Sequence, residues 1–159
     1  MTDERGDLLA VSLVSEILAT DQLLRSRIAR VLPAGMELSH VSVLNHLARA
    51  DAERTPAELA RAFHLTRGAM TNTLTRLDLA GYVHIRPDWD DARKKRVSIS
   101  PAGRRARDAA FAAIAPFLEE AAGPLDPARV RATLPVLRAL RQGLERTDAQ
   151  PSSRRDVTT

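Results

Sequence analysis

Residues 65–100 read "LTRGAMTNTLTRLDLAGYVHIRPDWDDARKKRVSIS", and a change of period inside this stretch decides the fold. From Thr66 to Leu79 the apolar side chains recur three and four residues apart, the spacing of one helix face. Thr66 suits the N-cap of that helix, and Gly81 closes it. The rest alternates. "YVHIR" and "RVSIS" have the period of two expected of half-buried strands. Between them lies a charged loop, Asp88, Asp90 and Asp91 followed by Arg93, Lys94, Lys95 and Arg96. The expectation is a helix followed at once by a β-hairpin.

The segment before it supplies the other half of a motif. "TPAE" makes Thr55 an N-cap, Pro56 the first helical residue and Glu58 the partner in a capping box. The short helix that follows turns Leu59, Ala60 and Phe63 inward, and "HLT" leads into the next. Two helices joined by a tight turn, then a hairpin, make a winged helix-turn-helix. Its second helix fits a DNA major groove, which is ~12 Å wide, while the wing lies beside the backbone.

Outside this lobe the chain reads as helix. Apolar residues at 8, 11, 14, 17, 18, 24, 28 and 31 make 8–31 a long amphipathic helix. Pro33 and Gly35 break it. Ser39 is the expected cap of a second helix over 40–50, with Val41, Leu44 and Leu47 on its buried stripe. Ser100 and Pro101 start a long helix in which Pro116 should cause a bend or interruption. Asp126 and Pro127 start the last helix, to about Arg146, with a kink expected at Pro135. The fold class is therefore mainly α with a small β-hairpin wing. Residues 1–38 and 101–146 form a helical dimerisation region, 39–100 a DNA-binding lobe and 147–159 a flexible tail. The long apolar stripes exceed what one small lobe can bury, so they are expected to pair in a homodimer.

Charge placement agrees with a polyanionic partner. The chain carries +4, yet residues 55–105 contain ten basic and five acidic residues, so the excess lies wholly in the middle third. Such a local basic footprint points to nucleic acid. On the second helix of the motif, Thr66, Met70, Thr73, Leu74 and Leu77 fall on one side. Gly68, Ala69, Thr71, Asn72, Thr75 and Arg76 fall on the other, which has no carboxylate to repel phosphate. Gly68 and Ala69 allow close backbone approach near the helix start, with Thr66 and Arg67 beside them. Asn72 and Arg76 suit adenine and guanine, and Thr71 or Thr75 a thymine methyl. In the wing, Arg86, Arg93, Lys94, Lys95 and Arg96 are candidates for phosphate contact or minor-groove insertion. Asp91, two residues from Arg93, can orient its guanidinium. Asp88 and Asp90 suit turn formation through side-chain to backbone bonds.

Residues 59–103, "LARAFHLTRGAMTNTLTRLDLAGYVHIRPDWDDARKKRVSISPAG", resemble the core of the multiple antibiotic resistance regulator (MarR) family. The helix-turn-helix, the "RLDLAGYV" helix exit, the D-x-R wing of Asp91 and Arg93 and the S-x-S-P-A-G start of the next helix carry the likeness. With the flanking helices matched in order and length, it covers about residues 8–146. The resemblance implies a dimeric regulator, usually a repressor, acting on an inverted-repeat operator in double-stranded DNA. It also implies a small-molecule inducer bound between dimer and DNA-binding lobes, where Asp21, Met36, His40 and His46 are the candidate pocket residues. Trp89 in the wing tip departs from the family pattern, as do Pro116 and Pro135.

Other classes find little support. With no cysteine, disulfide scaffolds, thiolate metal sites and thiol sensing are excluded. His40 and His46 lie about 240° apart round a helix, His64 falls in a turn and His84 in a strand, so no metal site is expected. No catalytic triad, paired carboxylates or phosphate-binding loop is present, so neither an enzyme nor a cofactor is expected. No apolar run reaches the ~18 residues of a membrane span, and the polar "MTDERGD" start is not a signal peptide. The chain reads as cytoplasmic. The competing reading is a winged-helix module whose basic wing docks an acidic protein.

Overall fold

In the computed structural model, residues 3–149 are described, and the side chains of residues 8–146. The elements run α1 (Asp3–Val31), α2 (Leu38–Ala50), α3 (Pro56–Ala62), α4 (Arg67–Leu79), β1 (Val83–Pro87), β2 (Lys95–Ile99), α5 (Pro101–Ala122) and α6 (Pro127–Ala149). The chain divides into two units, residues 1–117 and 118–159. No helix among the described residues is long and apolar enough to cross a membrane.

The first unit is built around a small core under α2, α3, α4 and the hairpin. Val43, Leu44, Leu47, Leu59, Met70, Leu74, Leu77, Val83 and Val97 are all buried there, with Met36, Phe63, Tyr82, Ile85 and Ile99 packed at its edge. Fully burying one such aliphatic side chain is worth roughly 1.5–3 kcal/mol, so this lobe rests on its helix stripes and one hairpin face. On α4 the apolar stripe is Met70, Thr73, Leu74 and Leu77. Thr66, assigned to that side by its angle, is instead exposed. As N-cap it lies outside the helix, where its hydroxyl accepts from the Ala69 N–H at 3.2 Å.

Two left-handed residues shape the motif. His64 (φ 51°) and Gly81 (φ 70°) end α3 and α4 respectively. After α3, Leu65 N–H reaches Ala60 O at 2.9 Å and His64 N–H reaches Arg61 O at 3.2 Å; after α4, Tyr82 reaches Leu77 O at 2.9 Å and Gly81 reaches Asp78 O at 2.8 Å. Both are Schellman closures, which satisfy the last carbonyls of each helix. Glycine takes the position without strain at Gly81, whereas His64 bears a side chain there, and no sequence signal marks it.

The hairpin is antiparallel, with Val83 opposite Ile99, Ile85 opposite Val97 and Arg86 opposite Arg96. Arg54 adds an isolated bridge beside β2, its N–H giving 2.9 Å to Val97 O and its carbonyl accepting from Val97 N–H at 2.8 Å. That third edge had no alternating run to announce it. Ser100 locks the hairpin to α5, donating its hydroxyl to Gly81 O at 2.7 Å and accepting from Gly103 N–H at 2.9 Å.

Two expected helix boundaries change, and two prolines stay inside their helices. The N-cap of α2 is Glu37, not Ser39, and the helix starts at Leu38. Glu37 accepts from the His40 backbone while His40 Nδ1 accepts from Glu37 N–H at 3.1 Å, a reciprocal box with histidine in the role usually held by Glu or Gln. Pro116 and Pro135 interrupt neither helix, both of which continue through them. Each proline lacks the N–H that would bond the carbonyl a turn earlier, so each helix forfeits one backbone bond there. Finally, α6 extends to Ala149, past the expected end at Arg146; residues 150–159 of the expected tail lie outside the described residues.

Candidate nucleic-acid interface

The start of α3, the start of α4 and the wing enclose one groove of about 650 Å³, lined by residues 55–58, Arg67, Thr71, Arg93, Lys94, Lys95 and Arg96. Capping determines what its floor offers. Glu58 accepts from Thr55 N–H at 2.7 Å and Thr55 Oγ1 accepts from Glu58 N–H at 3.2 Å. The Thr55 N–H and then the Thr55 hydroxyl, which donates to Glu58 Oε2 at 3.0 Å, hold the Glu58 carboxyl below its usual range. The groove therefore holds one capped carboxylate among five cations, beside the starts of two helices.

The outward face of α4 is as the angles required. Gly68, Ala69, Thr71, Asn72, Thr75 and Arg76 are exposed, as is Arg67. Thr71 and Thr75 donate their hydroxyls back to Arg67 O at 2.8 Å and Thr71 O at 2.9 Å, so they offer methyl groups and lone pairs outward. Nothing within 4 Å would meet a Cβ at Gly68. Its lack of a side chain leaves the backbone bare, and the fold does not demand it. Arg76 is engaged differently, its Nη1 donating to the Glu37 carboxylate, with both side chains about half exposed.

The wing cations separate into two sets. Arg86 and Arg96 face each other across the strands, a like-charge pair that is unfavourable unless compensated. Each has its own carboxylate. Arg86 forms a two-bond fork with Glu53, one arm at 2.9 Å, and Arg96 donates to Asp88, whose side chain is only 8% exposed. Asp88 Oδ1 also accepts from Asp90 N–H at 2.9 Å, the turn bond expected of it. The Asp90 N–H and then Arg96 hold the Asp88 carboxyl below the ordinary range. Arg93, by contrast, is 94% exposed and Lys94 64% exposed. Asp91 accepts from Arg93 N–H at 3.1 Å and from its Nε at 3.4 Å, so the orienting contact read from the D-x-R spacing is present. Glu53 and Glu37 were missed as partners because each is far along the chain from its arginine.

Of the four pocket residues proposed from the sequence, His40 and His46 line separate hollows. Asp21 is on α1 in an exposed pair with Arg25 at 2.7 Å. Met36 packs on the core edge. His46 stacks edge-on against Phe63, ring centroids 5.4 Å apart, beside a hollow of about 510 Å³. His40 borders another hollow, about 320 Å³, with Arg76, Leu77, Leu79 and Tyr82. The residue is 5% exposed, Nε2 has no hydrogen-bond partner, and burial pushes its pKa down. Among the described residues, no three His, Asp or Glu side chains cluster as a metal site would need.

Residues 34–94, which include α2, α3, α4, β1 and the wing loop, match the family model of the MarR family. That match covers the winged-helix residues and fewer than half of the residues of the chain. Solved structures extend the likeness across the chain. Sco5413, a MarR family transcriptional regulator from Streptomyces coelicolor, is 21% identical with a TM-score of 0.73, covering 86% of this chain and 95% of that one. A probable transcriptional regulator from Pseudomonas aeruginosa is 25% identical with a TM-score of 0.70, covering 80% and 96%. BpsR of Bordetella bronchiseptica, whose DNA binding is described as regulated by 6-hydroxynicotinic acid, is 19% identical with a TM-score of 0.69, covering 81% and 98%. No curated protein matches the chain. The winged helix of this chain thus has its fold in common with regulators of low sequence identity, whereas its Glu37 and Glu53 contacts are read from its own residues.

Proposed function

We propose that this protein is a MarR family regulator, a cytoplasmic homodimeric repressor that binds an inverted-repeat operator and is released by a small-molecule inducer. The observation that carries the reading is the groove where two capped helix starts and the exposed wing cations converge. Phosphates take such a surface, since orphan N–H groups and mobile cations replace condensed counterions. In this reading Thr66, Arg67, Gly68 and Ala69 meet the backbone at the start of α4. Thr71, Asn72, Thr75 and Arg76 read base edges, and Arg93, Lys94 and Lys95 anchor phosphate with Asp91 as orienting partner. Arg86 and Arg96, each held by a carboxylate, stiffen the wing and contribute charge only at a distance.

The inducer is assigned to the hollow beside His40. Arg76 lines it from α4, so an occupant there bears directly on the helix that reads DNA. The Bordetella regulator, whose DNA binding is regulated by 6-hydroxynicotinic acid, is the precedent. The deciding experiment is fluorescence anisotropy with the duplex upstream of the protein's own coding sequence and with a random duplex, over a salt series. Saturable preference for the upstream duplex is expected. Equal affinity for both at every salt concentration would reject a sequence-specific regulator.

A further inference from the structure

Trp89 is 86% exposed, more than any other large apolar side chain among the described residues, and it is the one tryptophan of the chain. An indole in water at a loop tip has no folding reason, because such tips ordinarily carry small polar residues. The ring is nevertheless held. The Arg86 guanidinium carbon lies 4.8 Å from its centroid, and Arg86 is fixed in turn by the Glu53 fork. A cation gripped by a carboxylate keeps its planar face on the indole, so the ring is presented from β1 with most of its surface open.

The charges around the ring indicate what it meets. Asp88 is neutralised by Arg96, and Asp91 faces both Arg93 and Lys94. Apart from the Asp88–Arg96 pair, the loop thus sets three cations, Arg93, Lys94 and Lys95, against two carboxylates, Asp90 and Asp91, and keeps a positive excess. An apolar blade set among exposed cations in excess mismatches an apolar protein surface, which would desolvate that excess charge without pairing it. It matches a duplex, whose phosphates take the cations while sugar and base edges take the ring.

We propose that Trp89 is a DNA-contacting residue that lays its indole along the sugar and base edges of the minor groove beside the half-site met by α4. Arg86 and Glu53 are the positioning pair that keeps the ring in that attitude. The inference rests on the DNA-binding reading above. Apolar side chains placed in a minor groove contribute by packing on sugars and by wedging at base steps. Such a contact favours flexible pyrimidine–purine steps over stiff A-tracts at that position.

Being the sole tryptophan, Trp89 reports on itself. Full-length protein is titrated with the upstream duplex and with the random duplex, following indole emission, acrylamide quenching and the anisotropy of labelled DNA together. Binding is expected to quench the emission and shield the ring from acrylamide. Trp89→Ala should lose roughly fivefold or more in affinity for both duplexes, the size of one aromatic–nucleic acid contact, and Trp89→Phe should recover most of it. Arg86→Ala and Glu53→Gln should bind DNA with reduced quenching of the retained tryptophan. Binding with unchanged emission and accessibility, or wild-type affinity in Trp89→Ala, overturns this inference and leaves DNA binding intact. Emission that responds to protein concentration alone assigns the ring to a protein contact and also overturns it. No binding of either duplex by the wild type overturns the DNA-binding reading and this inference with it.

Discussion

Arg76 and Arg93 are both exposed arginines on the proposed DNA side, yet their surroundings predict opposite behaviour. Arg76 is shared with Glu37 in a pair about half exposed on both sides, the kind worth only ~0–1 kcal/mol. A guanine edge can displace so weak a partner. Asn72→Ala and Arg76→Ala should each cost ~1–3 kcal/mol on the operator and relax preference at the base each one reads, with little effect on random DNA. Glu37→Gln should tighten operator binding by freeing Arg76; weaker binding in the same anisotropy titration would make Glu37 an orienting partner instead. Arg93 has no competitor beyond Asp91. Arg93→Ala should weaken operator and random duplex alike. It should also flatten the log affinity versus log salt slope by ~0.9 for each phosphate no longer neutralised, hence about two for a dimer. Asp91→Ala should reproduce part of that effect. Tighter binding after Asp91→Ala would mean that Asp91 merely repels phosphate. The D-x-R pair was legible because both residues lie in one loop. The Glu37 partnership was not, because its spacing of 39 residues leaves no periodic trace.

At the level of elements, the wing and its junction with α5 carry testable constraints. A Cβ at Gly103 would stand 2.0 Å from Tyr82 O and 3.0 Å from Ile99 Cγ1. Backbone cannot yield as a side chain can, so Gly103→Ala should cost ~1–3 kcal/mol or more in urea unfolding. Unchanged stability would mean that α5 is free to shift away from the hairpin. The same close approach explains the glycine in the "SPAG" stretch, which the sequence offered only as part of a helix start. Acid should act on the wing through Asp88. Its folded pKa is depressed, so its contribution is complete above the unfolded carboxylate pKa of ~3.9 and is lost as pH falls through the lower folded value. Asp88→Asn should therefore be less stable than wild type at neutral pH and converge with it in strong acid. Parallel urea midpoints at every pH would remove Asp88 from the wing's support. Turn chemistry was readable in "PDWDD", whereas the pairing of Asp88 with Arg96 follows from the hairpin register.

For the whole molecule, the long helices require a cover. On α1, Leu8, Leu9, Val11, Val14 and Leu18 are exposed, and on α6 so are Val130, Leu134, Val136 and Leu144. No residue with a described side chain in either helix is buried, so stripes of this length are expected to close on a second copy. The proposed interface is two-fold and obligate, larger than ~2,000 Å². It would set the two α4 helices about one DNA turn, ~34–36 Å, apart and so require an inverted-repeat operator. Sedimentation should give a dimer throughout the micromolar range. Leu18→Lys with Leu134→Lys should lower stability and abolish operator binding together. A stable folded monomer in the wild type would reject the dimer and the symmetric operator.

The order of helices, the capping box at Thr55, the two faces of α4 and the alternating strands follow from local rules. Periodicity, caps and turn residues act over a few positions, and each was present in the chain as written. What the tertiary structure decided is which charges are free. Four arginines in or near the interface look alike in sequence, but Glu37 holds Arg76, Glu53 holds Arg86 and Asp88 holds Arg96, while Arg93 is left in solvent. Those assignments depend on distances across the fold, where a carboxylate many residues away lies within hydrogen-bond reach only once the hairpin and helices have packed.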